Sequence, residues 1–267
     1  TDGKAEVFLW QLGCTVLNVQ PAHRLQKSLE PGMGVLAHII SLPADEDSAV
    51  TPGQKLGVIG RETSEFIDFL AKSGQKYWQI LPVSPTDEYG SPYAGISAFA
   101  GNINLLDQAA MEKVISECND PQGKQSAEYQ EFCARNSYWL DSYAAFCAIK
   151  DLLGEEVWQD WPKQYRSWSQ ELLERPELAQ TIELHRKQQF AFDVMWSQTL
   201  EEARAKGIQI IGDMPMFVSE DSADVWAHPE LFTLDDTGHT ELQAGAPADA
   251  FSQDGQLWGN PTYTWQA

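Results

Sequence analysis

The sequence is poor in basic residues and has no pattern for binding phosphate. Its 267 residues include 18 Lys and Arg against 39 Asp and Glu, which gives a formal net charge of −21 at pH 7. A surface this acidic repels phosphate backbones and anionic membranes, so we expect neither a nucleic acid nor a membrane partner. A glycine-rich phosphate loop is also missing. Uncharged small molecules are therefore the expected ligand class.

The sequence also lacks cysteine and histidine spacings that bind metals. Cys14, Cys118, Cys133 and Cys147 are far apart and contain no C-x-x-C pair. This usage favours reduced thiols in a cytoplasmic protein over disulfides. The five histidines form no H-E-x-x-H or related spacing. We therefore expect no metal and no cofactor. No apolar run reaches membrane-spanning length.

Tryptophan, by contrast, is abundant, with ten in the chain. Flat apolar rings beside hydrogen-bonding groups suit sugars, but core packing explains the same composition. Composition alone leaves both interpretations open.

The strongest structural signal is the apolar run Ile208 to Ile211, bounded by Gly207 and followed by Gly212-Asp213. It predicts a strand buried on both faces, of the kind found in parallel sheets covered by helices. Ligands bind such sheets at the carboxyl ends of the strands. Because Asp213 is at such an end, we expect it to serve a neutral, polyhydroxylated ligand.

The preceding sequence alternates strands with helices, as in the βαβ unit of a parallel sheet. Apolar runs and helical periodicity mark each element, and glycines mark the helix ends. In order, the predicted elements are a strongly buried strand at Gly34–Pro43, a helix at Thr63–Ser73 ended by Gly74, a strand at Tyr77–Val83, a mainly helical insertion at 108–180 with its clearest helix at Tyr138–Leu153, and a helix at Thr181–Lys206 ended by Gly207.

Several acidic residues have structural interpretations. Asp221 is predicted to cap the short helix that Pro229 ends. The segment from Asp235 to Gly238 has the composition of a hairpin turn. Asp249 and Asp254 read as loop acids in contact with solvent.

Several sequence blocks closely resemble the amylomaltase family of 4-α-glucanotransferases, from about Gly34 to the end. They occur in the family's order, with an insertion where the family has one. The blocks are Tyr77 to Pro82, Ser84 to Thr86, Ser91 to Tyr93, Ser97 to Asn102, Ile210 to Val218, Asp221 to Trp226, and Gly255 to Pro261.

The resemblance implies an α/β fold, a (β/α)₈ TIM barrel with a helical insertion, of which this chain holds only the first three or so strands. It divides the chain into four segments. These are an N-terminal β extension at 1–31, the first barrel strands and a glucan-facing loop at 32–107, the helical insertion at 108–180, and a helix, third strand and lid-like loop at 181–267. The extension is either an edge hairpin or the end of an upstream domain.

The implied activity is transfer of α-1,4-glucan segments between maltooligosaccharides, by a retaining double displacement that uses two carboxylates. The family's nucleophile lies in an Arg-x-Asp-His segment on the next strand, and its acid/base comes later. Neither occurs before Ala267. We therefore expect no catalytic residue in this chain, and expect the isolated chain to be inactive.

The resemblance also implies substrate-binding residues in three segments. Ser91, Tyr93 and Ser97 match the glucan-facing loop after the second strand. Asp213 matches an acid that binds sugar hydroxyls near the reactive subsite. The lid-like segment, Gly245 to Trp258, adds Asp249 as a candidate and Trp258 as an aromatic bordering the cleft.

The chain departs from the family at two of these places. After Tyr93 it has Ala94, Gly95 and Ile96 where the family has Gln, Ser and Phe. In the lid-like segment Ala250 replaces an aromatic residue and Ala248 a proline. Both places therefore carry fewer polar and aromatic groups.

Two other functions fit the same residues. One is an α-amylase-like starch hydrolase, in which water rather than sugar accepts the glycosyl unit. The other is a non-catalytic glucan-binding module. In each case the partner is an α-1,4-glucan or maltooligosaccharide, together with an upstream or downstream domain of the same polypeptide.

Overall fold

The structure, a computed structural model, describes residues 31–44, 56–87, 90–119, 123–154, 156–250 and 252–265. The predicted β extension at 1–31 falls outside the described residues except for Pro31, and so does Phe251 of the lid-like segment. In chain order the elements are β1 (Gly34–Leu36), α1 (Arg61–Lys72), β2 (Tyr77–Gln79), α2 (Gln108–Glu117), α3 (Ala127–Leu153), α4 (Pro176–Ala205), β3 (Gln209–Ile211), α5 (Ala223–Ala227), β4 (Gln243–Ala246) and β5 (Gln256–Pro261), with short 3-10 turns between several of them.

The first three strands form a parallel sheet in the order β1-β2-β3. Val35 pairs with Trp78, and Trp78 pairs with Ile210 across the next ladder. All three side chains contact the same hydrophobic core, and Trp78 is fully buried in it. The carboxyl ends of the three strands therefore lie side by side at one edge of the sheet, as the βαβ pattern predicted.

The prediction that β3 is buried on both faces was wrong, because Gln209 is exposed and Ile210 and Ile211 are only partly buried. The neighbouring row of Leu36, Gln79 and Ile211 lies on the opposite face, where Leu36 is 61% exposed and Gln79 is also exposed. Within the described part of the chain, helices cover only the Trp78 face of the sheet.

The regular strands are also shorter than their apolar runs predicted. After β1, Ile39 begins a 3-10 turn, and β2 ends at Gln79, with a last hydrogen bond from Ile80 N–H to Ile211 C=O. Ile39, Ile80 and Val83 are nevertheless buried in the same core as the sheet. The hydrophobic runs therefore identified buried chain correctly but overstated how much of it is strand.

Helices α1 and α4 pack on the covered face through the predicted apolar stripes. Ile67 and Leu70 of α1, and Met195 and Trp196 of α4, are buried in this core. Both helices end where glycine was predicted to end them, since Gly74 and Gly207 have positive φ angles. Helix α4 begins earlier than predicted, because Pro176 is tolerated in the first helical turn.

The insertion is mainly helical, as expected, and builds a second core. Its helix α3 begins at Ala127, capped by Ser126, and packs along α4. The second core is rich in aromatic rings, and the Trp226 ring of α5 lies 5.8 Å from the Trp161 ring. Core packing therefore accounts for Trp78, Trp139, Trp158, Trp161, Trp196 and Trp226, all of them buried.

None of the helices within the described ranges combines the length and the apolar content that a bilayer crossing requires.

Candidate functional site

Asp213 lies just beyond the carboxyl end of β3, where its side chain is exposed. Its Oδ2 accepts a hydrogen bond of 2.9 Å from the Tyr93 hydroxyl, and its Oδ1 accepts one of 2.9 Å from the backbone N–H of Met214. The hydrogen bond to Asp213 raises the pKa of Tyr93 above its usual value. The two residues, 120 positions apart in the chain, thus form one polar pair at the edge of the sheet.

The loop that follows β2 carries Tyr93 and is hydrogen-bonded to α4. The buried side chain of Gln189 accepts a hydrogen bond of 2.8 Å from Gly101 N–H and donates one of 2.9 Å to Gly101 C=O. A Cβ on Gly101 would come within 2.1 Å of the Phe192 ring, so only glycine permits this close approach to α4. The predicted Ser97 to Asn102 block therefore reflects packing against a helix.

The two serines of this loop that were predicted to bind glucan have different environments. Ser91 lies beside Tyr93, and its Oγ accepts a hydrogen bond of 3.3 Å from Tyr93 N–H. Ser97 is buried, and its Oγ accepts hydrogen bonds from the N–H groups of Phe99 and Ala100. These contacts fold the loop. The glucan-binding roles of both serines stay predictions.

The loop after β3 is joined to the loop after β2 by backbone hydrogen bonds. Ser219 N–H donates to Gly95 C=O and Ala223 N–H donates to Ile96 C=O, each at 2.9 Å. These bonds fix the chain that follows Asp213 against the chain that follows Tyr93. The pairing of the two side chains is therefore supported by pairing of their loops.

Ser222, rather than Asp221, caps α5. Ser222 Oγ accepts a hydrogen bond of 3.2 Å from Val225 N–H. Asp221 instead forms an ion pair with Lys150 at the end of α3 and accepts a hydrogen bond from Trp158 N–H. The predicted cap at Asp221 was wrong by one residue, because a distant lysine binds the carboxylate.

Asp224, in the first turn of α5, adds a third connection between the two loops. Its partly buried Oδ2 accepts a hydrogen bond of 3.1 Å from Ala98 N–H, and Ser97 also hydrogen-bonds to its side chain. Loss of hydration on burial outweighs these hydrogen bonds and raises the pKa of Asp224 to about 6.

The lid-like segment forms the antiparallel hairpin β4–β5, which carries Trp258. The Trp258 ring lies 6.2 Å from the Phe217 ring, in the loop that follows Asp213. Asn260 is buried, and its Nδ2 donates a hydrogen bond of 2.8 Å to Val218 C=O in the same loop. Asp249 lies at the exposed turn of the hairpin, where its Oδ1 accepts a hydrogen bond from Ser252 N–H. Its role in binding stays a prediction.

The hairpin turn predicted from Asp235 to Gly238 is confirmed. Leu234 and Thr240 pair antiparallel on either side of it, and Asp235 Oδ1 accepts hydrogen bonds from the N–H groups of Thr237 and His239.

The exposed members of the site suit a ligand with many hydroxyl groups. The Asp213 carboxylate has lone pairs beyond those used by Tyr93 and Met214, and these can accept hydroxyl protons. Tyr93 and Trp258 are 47% and 43% exposed and present accessible aromatic surface. Among the described residues, no group of three or more His, Cys, Asp and Glu is arranged to hold a metal ion.

The sequence prediction missed the residues that hold the site together. Gln189, Asp224 and Asn260 each bind the backbone of a site loop, at sequence separations of 88, 126 and 42 residues. The matching block Asp221 to Trp226 contains Asp224, and the block Gly255 to Pro261 contains Asn260, so these blocks were the available signal. Gln189 lies in a helix where neither motif nor periodicity marked it.

Comparison with known proteins gives a consistent family match. The sequence profile of the 4-alpha-glucanotransferase family matches residues 37–120 and 106–267. The 4-alpha-glucanotransferase of Thermus thermophilus is 39% identical, an alignment that covers 89% of this chain and 53% of that protein. The one from Aquifex aeolicus is 36% identical, with 87% and 53% covered.

A solved structure gives the same result for the fold. The amylomaltase from Streptococcus agalactiae in complex with acarbose superposes with a TM-score of 0.74 at 36% sequence identity. The match covers 87% of this chain and 53% of that one. The chain therefore spans about half the length of the relatives that it matches.

Proposed function

The chain belongs to the 4-alpha-glucanotransferase family, and from that premise we propose that its protein transfers α-1,4-glucan segments between maltooligosaccharides. The route is a retaining double displacement. One carboxylate attacks the anomeric carbon to form a glycosyl-enzyme, a second protonates the leaving oxygen, and a sugar hydroxyl then takes the glycosyl unit. Transfer rather than hydrolysis requires that the cleft bind an acceptor sugar and disfavour water.

The observation that supports this proposal is the hydrogen bond between Tyr93 and Asp213 at the carboxyl edge of the sheet. We assign Asp213 to binding substrate hydroxyls and supporting the transition state, and not to nucleophilic attack. Tyr93 holds one oxygen of Asp213, which orients the carboxylate before a sugar arrives. Trp258 offers its ring at the side of the cleft, and Ser91, Ser97 and Asp249 are the further binding residues in this proposal.

For the fold, we propose that β1 to β3 are neighbouring strands of a (β/α)₈ barrel. Their parallel order, their pairing in chain order and the helices on one face support it. The row of Leu36, Gln79 and Ile211, of which Leu36 and Gln79 are exposed, then faces the barrel interior. The segment boundaries at 32–107, 108–180 and 181–267 belong to the same proposal. The free cysteines Cys118, Cys133 and Cys147 support a cytoplasmic location.

The test is disproportionation of maltotriose by the whole protein. We expect products longer than the substrate. Only shorter products would indicate the starch hydrolase, and no products with retained binding would indicate the glucan-binding module.

Two variants test the site itself. Asp213→Asn should slow transfer by roughly tenfold to a hundredfold, because hydrogen bonds to a charged group contribute about 1.5 to 3 kcal/mol. Tyr93→Phe should slow it by about fivefold to tenfold, since one neutral donor is lost. The matched control is Asp236→Asn, which removes an exposed acid from the hairpin turn at 235–238. If Asp213→Asn keeps the rate of that control, the role given to Asp213 is wrong.

A further inference from the structure

Strand β5 is connected to the loop that carries Asp213 by a buried side-chain amide. Asn260 is 4% exposed, and its Nδ2 donates a hydrogen bond of 2.8 Å to Val218 C=O. Val218 in turn forms a parallel bridge with Gly95, in the loop that carries Tyr93. Asn260 therefore connects the hairpin to the backbone that also unites the other two segments of the site.

The hairpin has little other buried area with which to hold its position. Of its described strand residues, only Ala244, Asn260 and Pro261 are buried. Ala and Pro contribute few apolar contacts, so hydrophobic burial supplies little of the docking energy. Backbone hydrogen bonds from Thr233 N–H to Thr262 C=O and from Thr264 N–H to Leu231 C=O fix the chain just after β5. The Asn260 bond fixes β5 itself to the loop that carries Asp213, and its loss leaves a buried carbonyl without a partner.

The position of Asn260 in the chain makes this bond matter for the aromatic surface. Trp258 and Tyr263 lie on either side of it in sequence, and both rings contact Phe217, at 6.2 and 6.0 Å between centroids. Phe217 directly precedes Val218, whose C=O accepts the hydrogen bond from the Asn260 amide. A shift of β5 relative to Val218 would therefore move the Trp258 ring off Phe217.

We propose that Asn260 is a positioning residue, whose buried amide fixes β5, and with it Trp258, against the loop that carries Asp213. The consequence for glucan binding rests on the function proposed above. The placement of Trp258 does not rest on it, so the two can be tested separately.

The experiment uses the whole protein labelled with 5-fluorotryptophan and observed by fluorine NMR. Trp258→Phe and Trp226→Phe assign the signals of the exposed ring and of a fully buried core ring. Asn260→Asp removes the donor at constant shape, and Asn260→Ala removes it without adding charge. The matched control is Asn136→Asp, which deletes a similar amide-to-carbonyl bond of 2.9 Å inside α3.

We expect both Asn260 variants to shift or broaden the Trp258 signal in the absence of sugar, while the Trp226 signal and the control stay as in the unsubstituted chain. Affinity for maltoheptaose, followed by the same signals, should fall about tenfold in the Asn260 variants and less than twofold in the control.

Three results would overturn the role of Asn260. The Trp258 signal could stay unchanged in both variants, it could move equally in Asn136→Asp, or the Trp226 signal could collapse along with it in both Asn260 variants. The last would show that the bond supports the whole fold. If the unsubstituted whole protein does not respond to maltoheptaose, the proposed function fails, but the sugar-free spectra still decide the role of Asn260.

Discussion

The reciprocal hydrogen bonds between Gln189 and Gly101 give the sharpest prediction for stability. Gln189→Met keeps the length and volume of the side chain but removes both its donor and its acceptor. The N–H and C=O of Gly101 are buried against α4, so each would lose its partner without gaining access to water. Each unsatisfied buried group costs about 1 to 3 kcal/mol, which together predicts a loss of roughly 2 to 6 kcal/mol.

The assay is urea unfolding followed by tryptophan fluorescence. With a denaturant slope of about 2 to 3 kcal/mol per molar for a chain of this size, the midpoint of Gln189→Met should fall by roughly 0.7 to 3 M. Gln198→Met is the matched control on the same helix, at an exposed position. It should stay within about 0.5 kcal/mol of the unsubstituted chain. If the two variants unfold at the same urea concentration, the Gly101 groups find other partners and the reasoning is refuted.

Two further predictions concern Asp224 and the glycines of the site. Because the folded-state pKa of Asp224 is about 6, above its unfolded value, its stabilising contribution is present below pH 4 and is lost as pH rises through 6. In the unsubstituted chain the free energy of unfolding should therefore fall by on the order of 2 kcal/mol as pH rises from 4 to 7, and Asp224→Asn should remove this fall. The same pH dependence in the variant would contradict the prediction. Gly259→Ala should destabilise the chain by about 1 kcal/mol, because residue 259 has a φ of +79°. Gly212→Ala should be nearly neutral, because φ is not positive there and a Cβ meets no atom within 4 Å. Thermal melts of the two glycine variants measure both effects.

Local pattern was sufficient for the helices and for the place of Asp213. The stripes of α1 and α4 repeat with helical period, so Ile67, Leu70 and Met195 could be assigned to the core from sequence. Because β3 ends at Ile211, Asp213 lies at the carboxyl edge of the sheet for any conformation of the loops. Its contact with Tyr93 could be expected only through resemblance, since 120 residues separate the two.

The errors share a physical cause. Local sequence indicates whether a residue is buried and which hydrogen bonds it can form, but not which distant residues it contacts. Ile39 and Ile80 are apolar because they are buried, and buried loop chain looks the same as buried strand. Asp221 and Ser222 can each cap a helix, and the choice between them depends on Lys150, 71 residues from Asp221. Gln189 and Asn260 act through long-range hydrogen bonds to the backbone of one residue each, and such bonds produce no periodic pattern in the sequence.

The pairing of Lys150 with Asp221 has a consequence for exchanging parts between relatives. The end of α3 supplies the cation, and the turn after it supplies the Trp158 N–H to Asp221 and the Trp158 indole N–H to Glu220 C=O. A foreign helical insertion without a lysine and a tryptophan at these positions, grafted between the second and third strands, would lack these donors. The acidic turn downstream of Asp213 would then lose its hydrogen-bond partners, and such a chimera would need that turn to be transplanted together with the insertion.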